Sequence, residues 1–498
     1  MNSPLSRCSR DALSPRLGSE RALARWFRRP RRNEFSSFGC NNPLDLSARA
    51  PTATREARAL PREASSSVLV LVLLLAFVPS TRASDNIPAL PQAKPIALKG
   101  ATIHPVSGPD IPSGTIVFDE GKITALGPDA PIPDGAEVID VSGKHIYPGL
   151  ISANSVLGLI EIGAARATID IAESGAINPN ARAATSINPD SELLPVARAN
   201  GILTAHIVPE GGLVSGQSAV IRMDGWTPDE MTVLSPAAMH LRWPELTLNR
   251  SPRARKSVKD QQKDIDKAVK QIRDSFQIAR SYWQARKSGT PGFKSDLRWE
   301  ALMPVFDGKL PLFVHANTVA QIEAVLAWAK EAQLKIVLVG GQDAWRMASQ
   351  LKENDIPVIL TLSTALPSRR DDGYDSTFSN AAKLHEAGVR FCMAMNGRDS
   401  EAPHERNLPY EASMASAFGL PKEEALKAVT LYPAQILGIE DQLGSLQPGR
   451  AATLIVTNGD PLDFPTNIEA AYIDGRKIDL TNRQTRLRDK YKEKYRRK

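Results

Sequence analysis

Seven histidines carry most of this chain's capacity for chemistry: His104, His145, His206, His240, His315, His385 and His404. Imidazole titrates near neutrality and offers a lone pair to a metal, so a group of them could hold a divalent ion or move a proton. His315 ends the apolar run PLFVHAN, His206 lies near the end of the strand pattern ILTAHIVPEGG, and His404 falls in a loop after the last strand pattern. One mouth could collect His206, His315 and His404, although no spacing ties them together. The plainer readings are a satisfied core histidine for His206 and an exposed loop residue for His404. Ser215 and Ser218 belong to the glycine-rich stretch 209–226, PEGGLVSGQSAVIRMDGW. A serine nucleophile needs a base within hydrogen-bond reach. None is evident, which favours a hairpin lining a cavity. Asp375 in RDDGYD could meet a cationic substrate, with loop solvation as the plainer role. Cys392 is the one cysteine beyond residue 66, so it forms neither an internal disulfide nor a cysteine metal site.

The elements that must position these residues fall into two textures. Residues 95–147 read as short strands with Gly and Pro turns, and 440–480 return to strands. Between them, strands alternate with helices. PLFVHA, KIVLVGG, PVILTLS and VRFCMAMN start roughly 22 to 32 residues apart, the rhythm of βα units. Their apolar runs predict a sheet buried on both faces. Repetition on this scale favours a (β/α)8 barrel or a doubly wound sheet, and no glycine-rich nucleotide motif follows a strand, which disfavours the second. Residues 254–290 predict a long charged helix with one packed face, Ile265, Val269, Ile272, Phe276, Ala279 and Trp283 recurring at helical spacing. The expected α/β fold is a TIM-like (β/α)8 barrel, 148–438, inserted in a small composite β domain built from 84–147 and 439–480.

Several stretches resemble the amidohydrolase superfamily, in particular its imidazolonepropionase-like members: GKHIYPGLIS at 143–152, PLFVHAN, VGGQDAWRMASQLKENDIPVIL at 339–360, and the run 406–456 ending LGSLQPGRAATLIV. The resemblance spans about 95–480. It implies hydrolysis of C–N bonds other than peptide bonds, in cyclic amides and related substrates, with one or two divalent metals activating water. It also implies ligands at set positions: an H-x-H after the first strand, two further His and a final Asp. Here Ser152 replaces the Asp that precedes the H-x-H, Asn154 and Val156 replace that pair, Gly340 the second later His, and Asn396 the final Asp. Of the five ligand positions only His315 survives. The expectation is therefore that no cofactor is bound, although the family normally takes Zn or another divalent metal. Asn396 and His315 remain as catalytic candidates, and Asn154, His206, Ser215 and His404 as substrate-binding candidates. Three readings stay open: a hydrolase with a rebuilt or weak metal site, a metal-free pseudoenzyme binding a small-molecule ligand in the barrel mouth, and a structural or interaction protein.

Charge narrows the partners. Of the formal +7 over 498 residues, residues 1–66 hold 13 Arg, no Lys and 6 acids, and 481–498 hold 9 basic and 2 acidic residues. Residues 84–480 sum to −8. A nucleic-acid face needs cations clustered on the fold itself, so nucleic acid is not an expected partner. The basic tail 481–498 could contact an anionic surface. Val68–Val78 is an apolar run of 11 residues, too short to span a bilayer and suited to a signal-peptide core. With Thr81-Arg82-Ala83 as a cleavage site, 67–83 would be removed. The chain would then be exported to the periplasm or beyond, with no transmembrane helix in its mature part. Residues 1–66 would be a disordered Arg-rich leader or the product of a misplaced start.

Overall fold

The computed structural model describes residues 86–497 except 290, 291, 362 and 368. The leader and signal-peptide expectations, 1–66 and 67–83, lie outside the described residues.

Both chain ends contribute strands to one sheet. Its N-terminal strands are β1 (Ile96–Ile103), β2 (Ile111–Asp119), β3 (Lys122–Gly127), β4 (Glu137–Asp140) and β5 (His145–Pro148). The body follows with β6 (Leu150–Ser155), β7 (Ile202–Ile207), β8 (Val214–Gln217), β9 (Ala219–Arg222), β10 (Thr232–Leu234) and β11 (Met239–Arg242). It continues with β12 (Leu312–Ala316), β13 (Ile336–Gly340), β14 (Val358–Leu360) and β15 (Phe391–Met393). The C-terminal strands are β16 (Leu454–Thr457), β17 (Ile468–Ile473) and β18 (Arg476–Lys477). The end sheet runs β18-β17-β16-β5-β1-β2-β3, with β4 on β1. β5 leads into β6 through Gly149, so the sheet built from both ends abuts the first strand of the body. A side chain at Gly149 would press on Leu203 of β7.

The body holds two further sheets, β10-β9-β7-β6 and β15-β14-β13-β12-β11-β8. β11 through β15 are parallel to one another, whereas β8 pairs antiparallel with β11 and β9 with β7, so the sheets are mixed. β6 and β7 are buried along their whole length, which is why their sequences lack polar alternation. One face of these strands gathers Ile151, Ala153, Phe313, Val337, Ile359 and Cys392 into a common apolar cluster. The other face packs on helices.

The helices follow the expected pattern. Val258–Lys287 is a 30-residue helix with Ile272, Phe276 and Ala279 buried, and Ser257 caps its start. Val319–Glu331 begins with a capping box between Thr318 and Gln321. The Gln321 amide also donates to the Trp243 and Pro244 carbonyls, which ties this helix start to the segment leaving β11. Among the described residues no helix is long and apolar enough to cross a membrane.

Candidate functional site

Strand register brings three histidines together. His240 in β11 lies opposite Phe313 of β12, and Arg242 lies opposite His315. His206 in β7 pairs across to Val220 of β9. The rings of His206 and His240 have centroids 5.5 Å apart, those of His240 and His315 5.3 Å, and Phe313 packs edge-on against the first two.

The hydrogen bonds distinguish the three. His206 Nδ1 is 2.8 Å from the Ala153 carbonyl, which can only accept, so that nitrogen carries the proton. Its Nε2 then accepts from the Ser218 hydroxyl at 2.7 Å. His206 is thus a fully bonded neutral imidazole. His240 Nδ1 and His315 Nε2 stand 3.0 Å apart, and one must donate to the other. Either tautomer leaves His240 Nε2 buried without a partner among the described residues. Burial pushes His206 down to about 4. Burial also holds His240 and His315 well below the ordinary range, reinforced at His240 by the His315 ring and at His315 by the Arg242 guanidinium. All three are neutral at pH 7, and His315 keeps part of its surface accessible.

Arg242 closes one side of this row. Its side chain is 27% exposed, its nearest carboxylate is Glu210 at 3.9 Å, and it donates to the Pro209 carbonyl at 3.3 Å. The Nε has no partner among the described residues. This cation is poorly neutralised and partly open, which suits the anionic end of a ligand.

The other sequence candidates have their own surroundings. Asn154 in β6 is buried and donates through Nδ2 to the Met395 carbonyl at 3.1 Å, while its Oδ1 is orphaned. It thereby links β6 to the segment carrying Asn396, which lies three residues beyond β15 and is partly exposed. Ser215 in β8 is buried with an unpartnered hydroxyl and lines a cavity of about 60 Å³ with Pro209 and Arg182. His404 stands on the exposed side of a 3-10 segment, Asp399–Asn407, and no contact joins it to the imidazole row. Its neighbour Glu405 turns inward, accepting from Ser152 and, at 3.0 Å, from Ser155. Burial pushes Glu405 up to about 7, against the two hydroxyls that lower it. A carboxylate therefore reaches Ser152, where the resemblance implies an Asp, from a segment 253 positions further along the chain. A cavity of about 700 Å³ lies elsewhere, lined by His104, Tyr147, Lys422 and Asp460, and holds none of the candidates.

His240, Arg242, Glu210 and Glu405 escaped the sequence reading. MHLRW carried the signal for the first two, since His240 and Arg242 share one strand face at i and i+2. Nothing in PHERN distinguished Glu405 from a solvated acid.

Comparison with known proteins agrees with this architecture. Residues 319–481 match the amidohydrolase family. The chain is 23% identical over 390 residues to amidohydrolase tasK of Hapsidospora irregularis, covering 73% of this chain and 39% of that protein. It is 23% identical over 362 residues to an imidazolonepropionase of Mesorhizobium japonicum, covering 70% and 86%. The crystal structure of an amidohydrolase from Thermotoga maritima MSB8 superposes with a TM-score of 0.68 at 28% identity, over 77% of this chain and 99% of that one. The chain belongs to the amidohydrolase superfamily, whose structures imply a TIM-barrel-containing α/β fold. Within the superfamily it is imidazolonepropionase-like.

Membership corrects one expectation. The substituted ligand positions led to the expectation that no cofactor is bound, yet members of this family normally bind a metal. The residues as placed do not form the family's cage. His206 Nε2 is committed to Ser218, and His240 and His315 share one contact. No group of three His, Cys, Asp or Glu among the described residues stands in metal-holding geometry. At Gly340, φ is +108°, and a Cβ would overlap Asn317 Oδ1 and come within 2.9 Å of the Ala316 carbonyl. A ligand side chain cannot be restored there without moving the chain. Val156 is buried with Ile160, Val208 and Ala402, so its site is filled by apolar packing.

Proposed function

We propose that this chain hydrolyses a C–N bond other than a peptide bond in a cyclic amide-type substrate carrying an anionic group. The family supplies the reaction class. The row of neutral imidazoles ending beside an under-neutralised arginine is the observation that carries the rest. Arg242 receives the anionic group, and the orphaned Asn154 Oδ1 accepts from the ring N–H of the substrate. His315, neutral at pH 7 and partly accessible, takes a proton from water as its oxygen adds to the ring carbonyl. The C–N bond then breaks, and the same proton passes to the departing nitrogen. His240 holds the His315 ring in place through the 3.0 Å contact. Asn396 remains a catalytic candidate without an assigned step, and Ser215 and His404 remain substrate-binding candidates. The family's metal ligands are mostly replaced at their own positions, so no step is routed through a metal.

The same reading takes the two body sheets as parts of one (β/α)8 barrel, 148–438, inserted between the halves of the end sheet. Export, with the mature chain beginning near Ser84, belongs to it as well.

The test is ring opening of hydantoins, dihydropyrimidines and imidazolones, with and without a carboxylate arm, followed by loss of ultraviolet absorbance in the presence of added divalent metal. Turnover of the carboxylate-bearing members, lost in His315→Ala and weakened in KM by Arg242→Met, is expected. No turnover of any member, or turnover indifferent to His315→Ala, overturns the proposal.

A further inference from the structure

The C-terminal helix Arg483–Arg496 buries none of its residues, although Asn482 caps it from a buried position and forms a capping box with Thr485. A helix with no packed face needs another reason for its apolar residues. Leu487, Tyr491 and Tyr495 recur every four positions and are 41%, 48% and 65% exposed. At about 100° per residue they occupy an arc of roughly 80°. Arg483, Lys490 and Lys494 border that arc on one side and Arg488 and Lys492 on the other. The two acids of the helix, Asp489 and Glu493, fall on the opposite face.

The polar side is also the anchored side. Arg486 lies away from the stripe and pairs with Glu192 of the body at 3.2 Å. That contact holds the helix with its tyrosines outward. Lys494 Nζ lies 5.8 Å and 5.9 Å from the two tyrosine ring centroids, its stem running along the stripe.

We propose that this helix docks the protein in plane on an anionic lipid surface, with Leu487, Tyr491 and Tyr495 in the headgroup boundary and the flanking Lys and Arg on the lipid charges. A narrow aromatic stripe bordered by cations is the pattern of an interfacial helix, and tyrosine is a residue of that boundary. The acids stand where they would face away from the membrane. A single-stranded nucleic acid also pairs with cations and aromatics, but it needs a groove that tracks its backbone. This helix is convex and solitary, and the body from 84 to 480 carries −8, which repels a wrapping polyanion.

The experiment is co-sedimentation of the full chain with phosphatidylcholine vesicles and with vesicles one third phosphatidylglycerol. Binding is expected to the anionic vesicles only and to weaken as salt rises. Because residues 1–66 are also Arg-rich, the helix is tested by substitution within it. Lys490→Glu with Lys494→Glu is expected to lower the partition coefficient by roughly a hundredfold. Tyr491→Ala with Tyr495→Ala is expected to lower it by about tenfold while leaving the salt dependence in place. Both pairs lie on exposed helix surface, and an unchanged melting temperature verifies the fold. Binding that survives both pairs, or equal helix-dependent affinity for single-stranded RNA, overturns the proposal.

Discussion

Arg198 and Arg242 are both arginines drawn out of bulk water, and the chain treats them differently. Arg198, at 2% exposure, ends a short helix and donates to Asp224 at 2.7 Å, to the Met223 carbonyl at 3.0 Å and to Asn86 at 2.7 Å. Asp224 in turn receives Arg476 at 3.3 Å and the Ala89 amide at 3.1 Å. This network joins the first described residues, the body and the C-terminal strands. Arg242 has no carboxylate within 3.5 Å, keeps 27% exposure and acts on the imidazoles of His240 and His315. Buried polar groups in a finished structure are almost always bonded. The Arg198 cluster leaves only the Arg198 Nε unpartnered among the described residues, and the imidazole row and its neighbouring strands leave more. His240 Nε2 and Arg242 Nε on β11, Asn154 Oδ1 on β6 and Ser215 Oγ on β8 all lack a partner among the described residues. Satisfied polar groups mark structure, and a concentration of unsatisfied ones marks a place built for something else.

The largest expected effect breaks that comparison if it fails. Arg198→Met leaves Asp224 buried with only Arg476 as a cation and is expected to cost about 3–5 kcal/mol, read from urea unfolding. Arg242→Met, whose charge is weakly paired, is expected to cost under about 1 kcal/mol in the same assay. Equal losses would mean that the two arginines do the same structural work.

Titration sharpens the contrast next. An unfolded imidazole titrates near 6.5, and folded His206 near 4. The unfolded state binds more protons between these values, so the stability is fully present above pH 6.5 and is lost as pH falls toward 4. His206 alone accounts for roughly 3 kcal/mol over that window. His240 and His315 act in the same direction. Glu405, raised from 4.5 to about 7, acts oppositely, its contribution being fully present below 4.5 and lost as pH rises through 7. Between pH 4.5 and 6.5 Glu405 offsets much of what His206 contributes, so unfolding free energy is expected to rise there chiefly through His240 and His315 and to fall slightly between 6.5 and 7. Glu405→Gln should remove that fall. In Glu405→Gln, a profile flat from pH 4 to 6.5 would show that the imidazoles are hydrated in the fold.

Gly340 tests the same idea at a position where the resemblance implies a histidine. Its φ of +108° and the nearby Asn317 and Ala316 atoms make any side chain costly. Gly340→Ala is expected to destabilise by about 2 kcal/mol, measured by thermal unfolding.

What the sequence revealed follows a physical division. The strands and helices of the body were legible because periodicity is local: PLFVHAN, KIVLVGG and the amphipathic run 319–331 declare themselves. The pairing of His240 with His315 depends on parallel register between β11 and β12, strands separated by 69 intervening residues that include the long charged helix. Residue types near His240 carry no trace of that register. Glu405 reaches Ser152 across 253 positions, and only the fold makes that contact. Family resemblance located the ligand positions and the substitutions at them. It could not reveal the positive φ and close contacts at Gly340 or the apolar packing around Val156, two positions at which the resemblance implies a ligand.

The smallest effect has the opposite sign. Ser215 is 1% exposed, and its hydroxyl has no hydrogen-bond partner among the described residues. Burying a hydroxyl without a partner costs about 1–3 kcal/mol, and the methyl of alanine carries no such penalty. The side chain is small, so Ser215→Ala removes one atom and opens little new space. Ser218, three residues on, makes the control, since its hydroxyl donates to His206 at 2.7 Å. Ser215→Ala is expected to raise stability by about 1 kcal/mol, whereas Ser218→Ala lowers it by a similar amount because it strands His206 Nε2. If Ser215 serves the substrate, the same Ser215→Ala change raises KM while the melting temperature climbs. A loss of stability at Ser215 as large as at Ser218 would place its hydroxyl among the structural groups and remove it from the mouth.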